Sequence, residues 1–202
     1  MTDPIMPGYH NRRLGDPFPW GPETGKDVKL GPGATLVGVR LGGGSGVGRL
    51  HESGRGEESS QTTASLSAEV ELFASRIPLV ENELQFHWAD GVGLKYSYGL
   101  RTDPDEDVRD HRIDLLYRLM FGERGEVEAF VGPTFMMGGT MEYGYGGTLG
   151  GLYRFGKEKS GAIPFLGLSM VLAGGNDLLG TTTIYNQGLL FAGLEFSGFV
   201  GK

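Results

Sequence analysis

From Thr63 to Leu72 polar and apolar residues alternate without a slip: Thr63, Ser65, Ser67, Glu69 and Glu71 against Ala64, Leu66, Ala68, Val70 and Leu72. A repeat of two is the signature of a strand, because successive side chains of a pleated chain point to opposite faces. One face here is small and aliphatic, and the other carries two carboxylates, which suits a barrel wall with one wet side. Upstream, Thr35, Val37, Val39 and Leu41 oppose Leu36, Gly38 and Arg40, predicting a first strand over 34–41. The second strand is expected to end near Ala74, where Phe73 breaks the parity.

A third apolar series, Leu84, Phe86, Trp88, Val92, Leu94, Tyr96, Tyr98 and Leu100, keeps one parity across Asp90-Gly91. Asp-Gly is a hairpin signal. A two-residue turn there would pair Ala89 with Val92 and mismatch the two apolar series. A three-residue turn would keep them on one face, and so would a single strand running straight through. The single strand is preferred, with Asp90 on its apolar face. Further strands are predicted at 112–121, 126–137, 147–155, 162–172 and 182–199, the one at 162–172 apolar on both faces. The connections then alternate, with long glycine-rich or charged loops at 42–61, 101–111, 138–146 and 173–181 and shorter turns between them. Counting Asp90-Gly91 as a hairpin would give nine strands and destroy that alternation. The expected fold is all-β, an eight-stranded antiparallel up-and-down β-barrel.

Before it, residues 1–33 carry Pro4, Pro7, Pro17, Pro19, Pro22 and Pro32, which forbid sustained pairing and predict an irregular arm, leaving 34–202 as one barrel domain. Phe18 and Trp20 could dock the arm on a surface or in a barrel mouth. The arm lacks the charged start, apolar centre and cleavage site of a secretory signal, and the expectation is a mature or recombinant chain whose signal has been removed, against a competing reading of a cytosolic protein that never had one.

Composition narrows the partners. A net charge of −7 with only 18 Lys and Arg excludes a nucleic-acid interface, which needs a clustered positive footprint. With no cysteine there is neither a disulfide scaffold nor a thiolate metal site. No apolar run reaches the roughly 18 residues of a spanning helix, so any membrane crossing must be made by strands.

The polar face of the predicted strands carries Glu69, Glu71, Asp114, Glu128 and Glu195 against Arg40, Lys95, Arg101, Arg112, Arg118 and Arg154, with Gln85, His87 and Gln187 among them. The signs nearly balance. In a narrow lumen such charges can pair across the barrel, as enclosed charges must, and arginine's planar fork suits buried carboxylates. These residues are the candidate lumen network, with His87 a hydrogen-bonding member. The opposite face carries Trp88, Tyr96, Tyr98, Tyr117, Phe121, Tyr153 and Phe155, several near strand ends where an interfacial girdle would place them.

An even number of antiparallel strands with short turns on one side and long loops on the other resembles the plan of small bacterial outer-membrane barrels. The resemblance spans Ala34 to Phe199 as a pattern, without a sequence motif, and Phe199 stands three residues from the end where that class commonly places a terminal aromatic. It implies a transmembrane monomer in the bacterial outer membrane, surrounded by lipid, with no cofactor and no catalytic residue, whose specific contacts with proteins or ligands lie in the four long loops. Two other readings compete. One is a soluble calycin-like barrel with its faces reversed, holding a hydrophobic ligand. The other is a membrane-embedded acyl hydrolase, because His51-Glu52-Ser53 resembles the His-x-Ser element of outer-membrane lipid A deacylases; Gly54 replaces that family's asparagine, and the element falls in a predicted loop instead of a late strand.

The remaining chemistry is sparse. Asp103, Asp105 and Asp107 are spaced like the start of a calcium loop, but Val108 stands where that loop needs glycine and the twelfth position is Asp114. Gly42-Gly43-Gly44-Ser45-Gly46 lacks the Lys-Ser/Thr ending of a phosphate loop. His10 and His111 are isolated in the arm and a loop.

Overall fold

The computed structural model describes residues 33–54, 57–80, 83–84, 89–102, 107–122, 125–139, 141–155, 162–176 and 181–200. The strands are β1 (Gly33–Gly54), β2 (Glu57–Val80), β3 (Glu83–Leu84), β4 (Ala89–Thr102), β5 (Asp107–Phe121), β6 (Val127–Gly138), β7 (Met141–Arg154), β8 (Ile163–Asn176) and β9 (Thr182–Val200). Leaving out β3, successive strands pair antiparallel in chain order, and β1 also pairs with β9, so the sheet closes on itself. β3 adds only Leu79↔Leu84 and Val80↔Glu83 beside β2 and stands outside the ring. The ring is an eight-stranded up-and-down barrel. Asp90 and Gly91 lie inside β4, facing Arg76 and Ser75 of β2, so no hairpin forms there. The expected single strand from Leu84 is met from Ala89 onward, and residues 85–88 lie outside the described residues, as do the arm up to residue 32, Gln85, His87 and Trp88.

The loop boundaries need correction. The described residues of the predicted loop 42–61 are strand: Gly42 to Gly54 pairs with Glu57 to Glu69 residue for residue. Likewise β5 begins at Asp107, β7 at Met141, and β8 runs to Asn176, so the described residues of 101–111 are strand, as are Gly138, 141–146 and 173–176. Glycine and charge at these positions read as loop, but backbone pairing does not depend on the side chain, and Gly42 to Ser53 is paired on both sides, with β2 and with β9.

A second correction concerns Phe73. It does not break parity but continues the inward row of Thr63, Ser65, Ser67, Glu69 and Glu71, and β2 runs on to Val80. Three apolar clusters occupy the interior. Leu36, Phe73, Ile77, Ala89, Met120 and Ile163 close the end where β1 begins and β9 finishes. Leu116, Phe130, Leu152, Phe165 and Phe191 cross the middle. Leu50, Met136, Val171, Ala173, Tyr185 and Leu189 close the other end. The inward row of β8 consists largely of such plug residues, which is why that strand is apolar on both faces.

Inward glycines make room for these rings. A Cβ on Gly38 would stand 2.6 Å from the Phe73 ring. One ladder is interrupted, since β5 and β6 pair at Asp114↔Thr134 and again at Tyr117↔Val131, and Pro133 between them has no N–H to donate.

Candidate functional site

The inward parity of six strands brings Arg40 (β1), Glu71 (β2), Arg118 (β5), Glu128 (β6), Arg154 (β7) and Glu195 (β9) together. Register does the first part of the work, because Arg40 lies directly beside Glu71 on one neighbouring strand and Glu195 on the other. The Arg40 guanidinium donates from Nε to Glu195 at 2.7 Å, from Nη1 to Glu71 at 3.2 Å, and from Nη1 and Nη2 to the two oxygens of Glu128 at 2.9 and 2.8 Å. Arg118 forks onto the same Glu128, at 2.6 Å from Nε. Arg154 donates to Glu195 at 2.8 Å, to Glu128, and to the carbonyl of Gly125. Glu128, 1% exposed, therefore serves three guanidinium groups. Three arginines face three glutamates, and the layer is neutral. The planar faces of the cations are used too: Arg118 and Arg40 lie over the Phe73 ring at 4.2 and 4.7 Å.

A second layer repeats the design with other residues. Lys95 of β4 sits beside Asp114 of β5 in register, with Nζ 3.3 Å from Asp114 and 3.8 Å from Glu69. Arg112 reaches Asp114 at 3.1 Å, and Glu69 and the Ser97 hydroxyl at 3.3 Å. The Thr134 hydroxyl donates to the other oxygen of Asp114. Two cations again meet two carboxylates. The Lys95 ammonium lies 5.6 Å above both Phe130 and Phe191, so the aromatic cluster in the middle of the barrel forms its floor.

Towards the end where β1 meets β2, Arg101 donates to Asp110 at 3.3 Å and stacks over Tyr185 at 5.3 Å. Gln187 donates to the Ser65 hydroxyl. Charged layers and apolar layers thus alternate through the lumen. Between the first two charged layers lies a cavity of about 10 Å³ lined by Arg40, Glu69, Glu71 and Lys95, room for about one water molecule.

Of the residues anticipated for the lumen, Glu69, Glu71, Lys95, Arg101, Arg112, Asp114, Arg118, Glu128, Arg154 and Glu195 all lie on the inner side in these contacts, and His87 lies outside the described residues. Asp110 and Thr134 were not anticipated. Asp110 was hidden in a stretch read as loop, although Val108, Asp110, Arg112 and Asp114 already alternate with Arg109, His111 and Ile113. The aromatic floor had no local signal, since an inward Phe on β6, β8 or β9 looks like an outward one.

His51 and Ser53 follow one another on one side of β1, opposite Ser60 and Glu58 of β2, and Glu52 accepts from Ser59 at 3.5 Å. Among the described residues no His, Asp and Glu groups converge as a metal centre.

The outer surface has the opposite character. Leu66, Leu72, Val92, Leu94, Leu115, Val131, Leu149, Leu168, Met170 and Leu190 are each at least half exposed, and Tyr96, Tyr117, Tyr143, Tyr145, Tyr153 and Phe155 stand on the same side of the wall. No protein-family model, curated protein or solved structure matches the chain.

Proposed function

We propose that this chain is a non-enzymatic barrel of a bacterial outer membrane, with its outer wall in lipid and its lumen closed by side chains. One observation carries the reading: the polarity is inverted, with neutralised charges inside and a bounded apolar band outside. Along β2 the outward row reads Glu58, Ser60, Thr62, then Ala64, Leu66, Ala68, Val70, Leu72 and Ala74, then Arg76. On β4 the band runs from Val92 to Leu100 between Asp90 and Thr102, and on β5 from Ile113 to Phe121 beyond Arg109 and His111. About 9–11 residues of tilted strand cross a bilayer, and these bands have that length. A water-soluble wall has no reason to end its apolar row at matching lengths.

A soluble barrel carrying a hydrophobic ligand would require an open apolar centre, whereas this lumen is filled by ion pairs and rings. Specific contacts then fall to the strand ends and connections at the β1–β2 end of the barrel. Fractionation of the expressed protein tests the proposal. The chain is expected in the membrane fraction, released by detergent and not by carbonate wash. A monodisperse, detergent-free species in the soluble fraction would overturn it.

A further inference from the structure

The apolar band on β5 ends at a small polar cluster. His111 points outward on this strand, between Tyr98 of β4 and Met137 of β6 in register. The Tyr96 hydroxyl lies 2.8 Å from His111 Nδ1, and the Tyr98 ring meets the imidazole edge-on at 5.3 Å between centroids. Two residues further along the same outward row, Arg109 is exposed, and its guanidinium has no ion-pair partner among the described residues. On the other flank the β6 ladder shifts register at Met137/Gly138, and Gly138 adopts φ 95°. A Cβ there would stand 2.7 Å from the Arg109 carbonyl oxygen and 3.8 Å from His111 Cδ2, so a glycine lets β6 lie close against this part of β5. Bulges of this kind re-aim or uncover a neighbouring side chain.

We infer that Tyr96, Tyr98, Arg109 and His111 form a binding site for the phosphate of a membrane phospholipid, a site that rests on the membrane placement proposed above. With the tyrosine hydroxyl donating to Nδ1, the ring proton sits on Nε2 and faces outward as a donor. Arg109 supplies the charge and a planar fork, the geometry that phosphate oxygens accept. The cluster stands where the apolar row of β5 gives way to polar residues, the height of the headgroups, and the aromatic rings beneath it present a surface to the acyl chains. The phosphate is bound as the diester, in place, with no covalent step.

The test is native mass spectrometry of the full chain released from maltoside micelles and titrated with phosphatidylglycerol, with diacylglycerol, and with glycerol phosphate. Retention of phosphatidylglycerol over diacylglycerol is expected, with no adduct from glycerol phosphate, because the headgroup alone lacks the apolar anchor. Arg109→Gln and His111→Phe, which keep the exposed and ring-packed surfaces, should each lower retention about tenfold, the effect of losing one charge-assisted hydrogen bond. Arg49→Gln, an outward cation on β1, should leave it unchanged. Equal retention by all three variants, or by diacylglycerol, would overturn the site while leaving the membrane placement standing. A glycerol phosphate adduct as strong as the lipid adduct would overturn the lipid assignment in favour of a free-phosphate site. Failure of the wild-type chain to enter phosphatidylglycerol vesicles would remove both. An independent readout is the imidazole tautomer: nitrogen NMR in micelles should show His111 protonated at Nε2, and Tyr96→Phe should release that preference.

Discussion

The inner charges act at the residue scale through desolvation. Arg40 contacts three carboxylates and is 3% exposed, so removing it leaves Glu71, Glu128 and Glu195 with two arginines to share. Breaking one partner of a buried pair costs about 3–5 kcal/mol, whereas an exposed pair contributes at most about 1 kcal/mol. Arg40→Ala, Arg118→Ala and Arg154→Ala are therefore expected to shift denaturant unfolding in micelles severely. Arg76→Ala, on the outer side next to Asp90, should change stability by no more than about 0.5 kcal/mol. Equal effects inside and outside would mean that water fills the lumen. Packing makes a second residue-scale demand. Gly38→Val would drive a side chain into the Phe73 ring, an overpacking cost of about 1–3 kcal/mol, and Phe73→Leu in the same chain should recover part of it.

At the scale of the element, β2 has two faces and two zones. Leu66 is 62% exposed on the outer wall, so Leu66→Arg should cost about 2–4 kcal/mol in lipid if it lies near the bilayer midplane, while Ser67→Ala should be mild. Urea titrations showing the same loss for both would reverse the face assignment. Along its length, β2 pairs with β4 only from Ala64 onward, so among the described residues Glu57 to Thr63 is bonded on the β1 side alone. A strand held from one side opens more readily than one held from both. Hydrogen exchange is expected to be faster from Glu58 to Thr62 than from Ser65 to Leu72. Uniform protection along β2 would require a further strand against that edge.

The whole molecule is a closed wall around a neutral, filled centre. Three cations face three anions, then two face two, and Arg101 meets Asp110, with aromatic and aliphatic plugs between the layers. An ion entering would have to displace a plug and break a neutral layer at once. Planar-bilayer recordings are expected to show no discrete conductance, and regular open steps would contradict the filled lumen. Accessibility gives the same answer by another route. A cysteine at Glu69 should resist a bulky water-soluble thiol reagent, and one at Leu66 should react only when lipid or detergent is absent.

The alternation from Thr63 to Leu72, and its echoes downstream, determined the strand class, the strand number and the division into two faces, because a pleated chain ties side-chain direction to sequence position with a repeat of two. Near balance of arginine and carboxylate along one face was legible for the same reason. Where strands end was not, since backbone pairing holds Gly42 to Gly54 in the wall regardless of side chains, and only register with β2 and β9 reveals it. Phe73 seemed to break parity because local pattern distinguishes polar from apolar, while an enclosed lumen accepts both once an arginine lies over the ring. Which charge meets which was decided only by closure. Arg40 and Glu128 are separated by 88 positions and lie on strands that are not neighbours, so their contact exists only because the ring brings opposite walls within reach of a side chain.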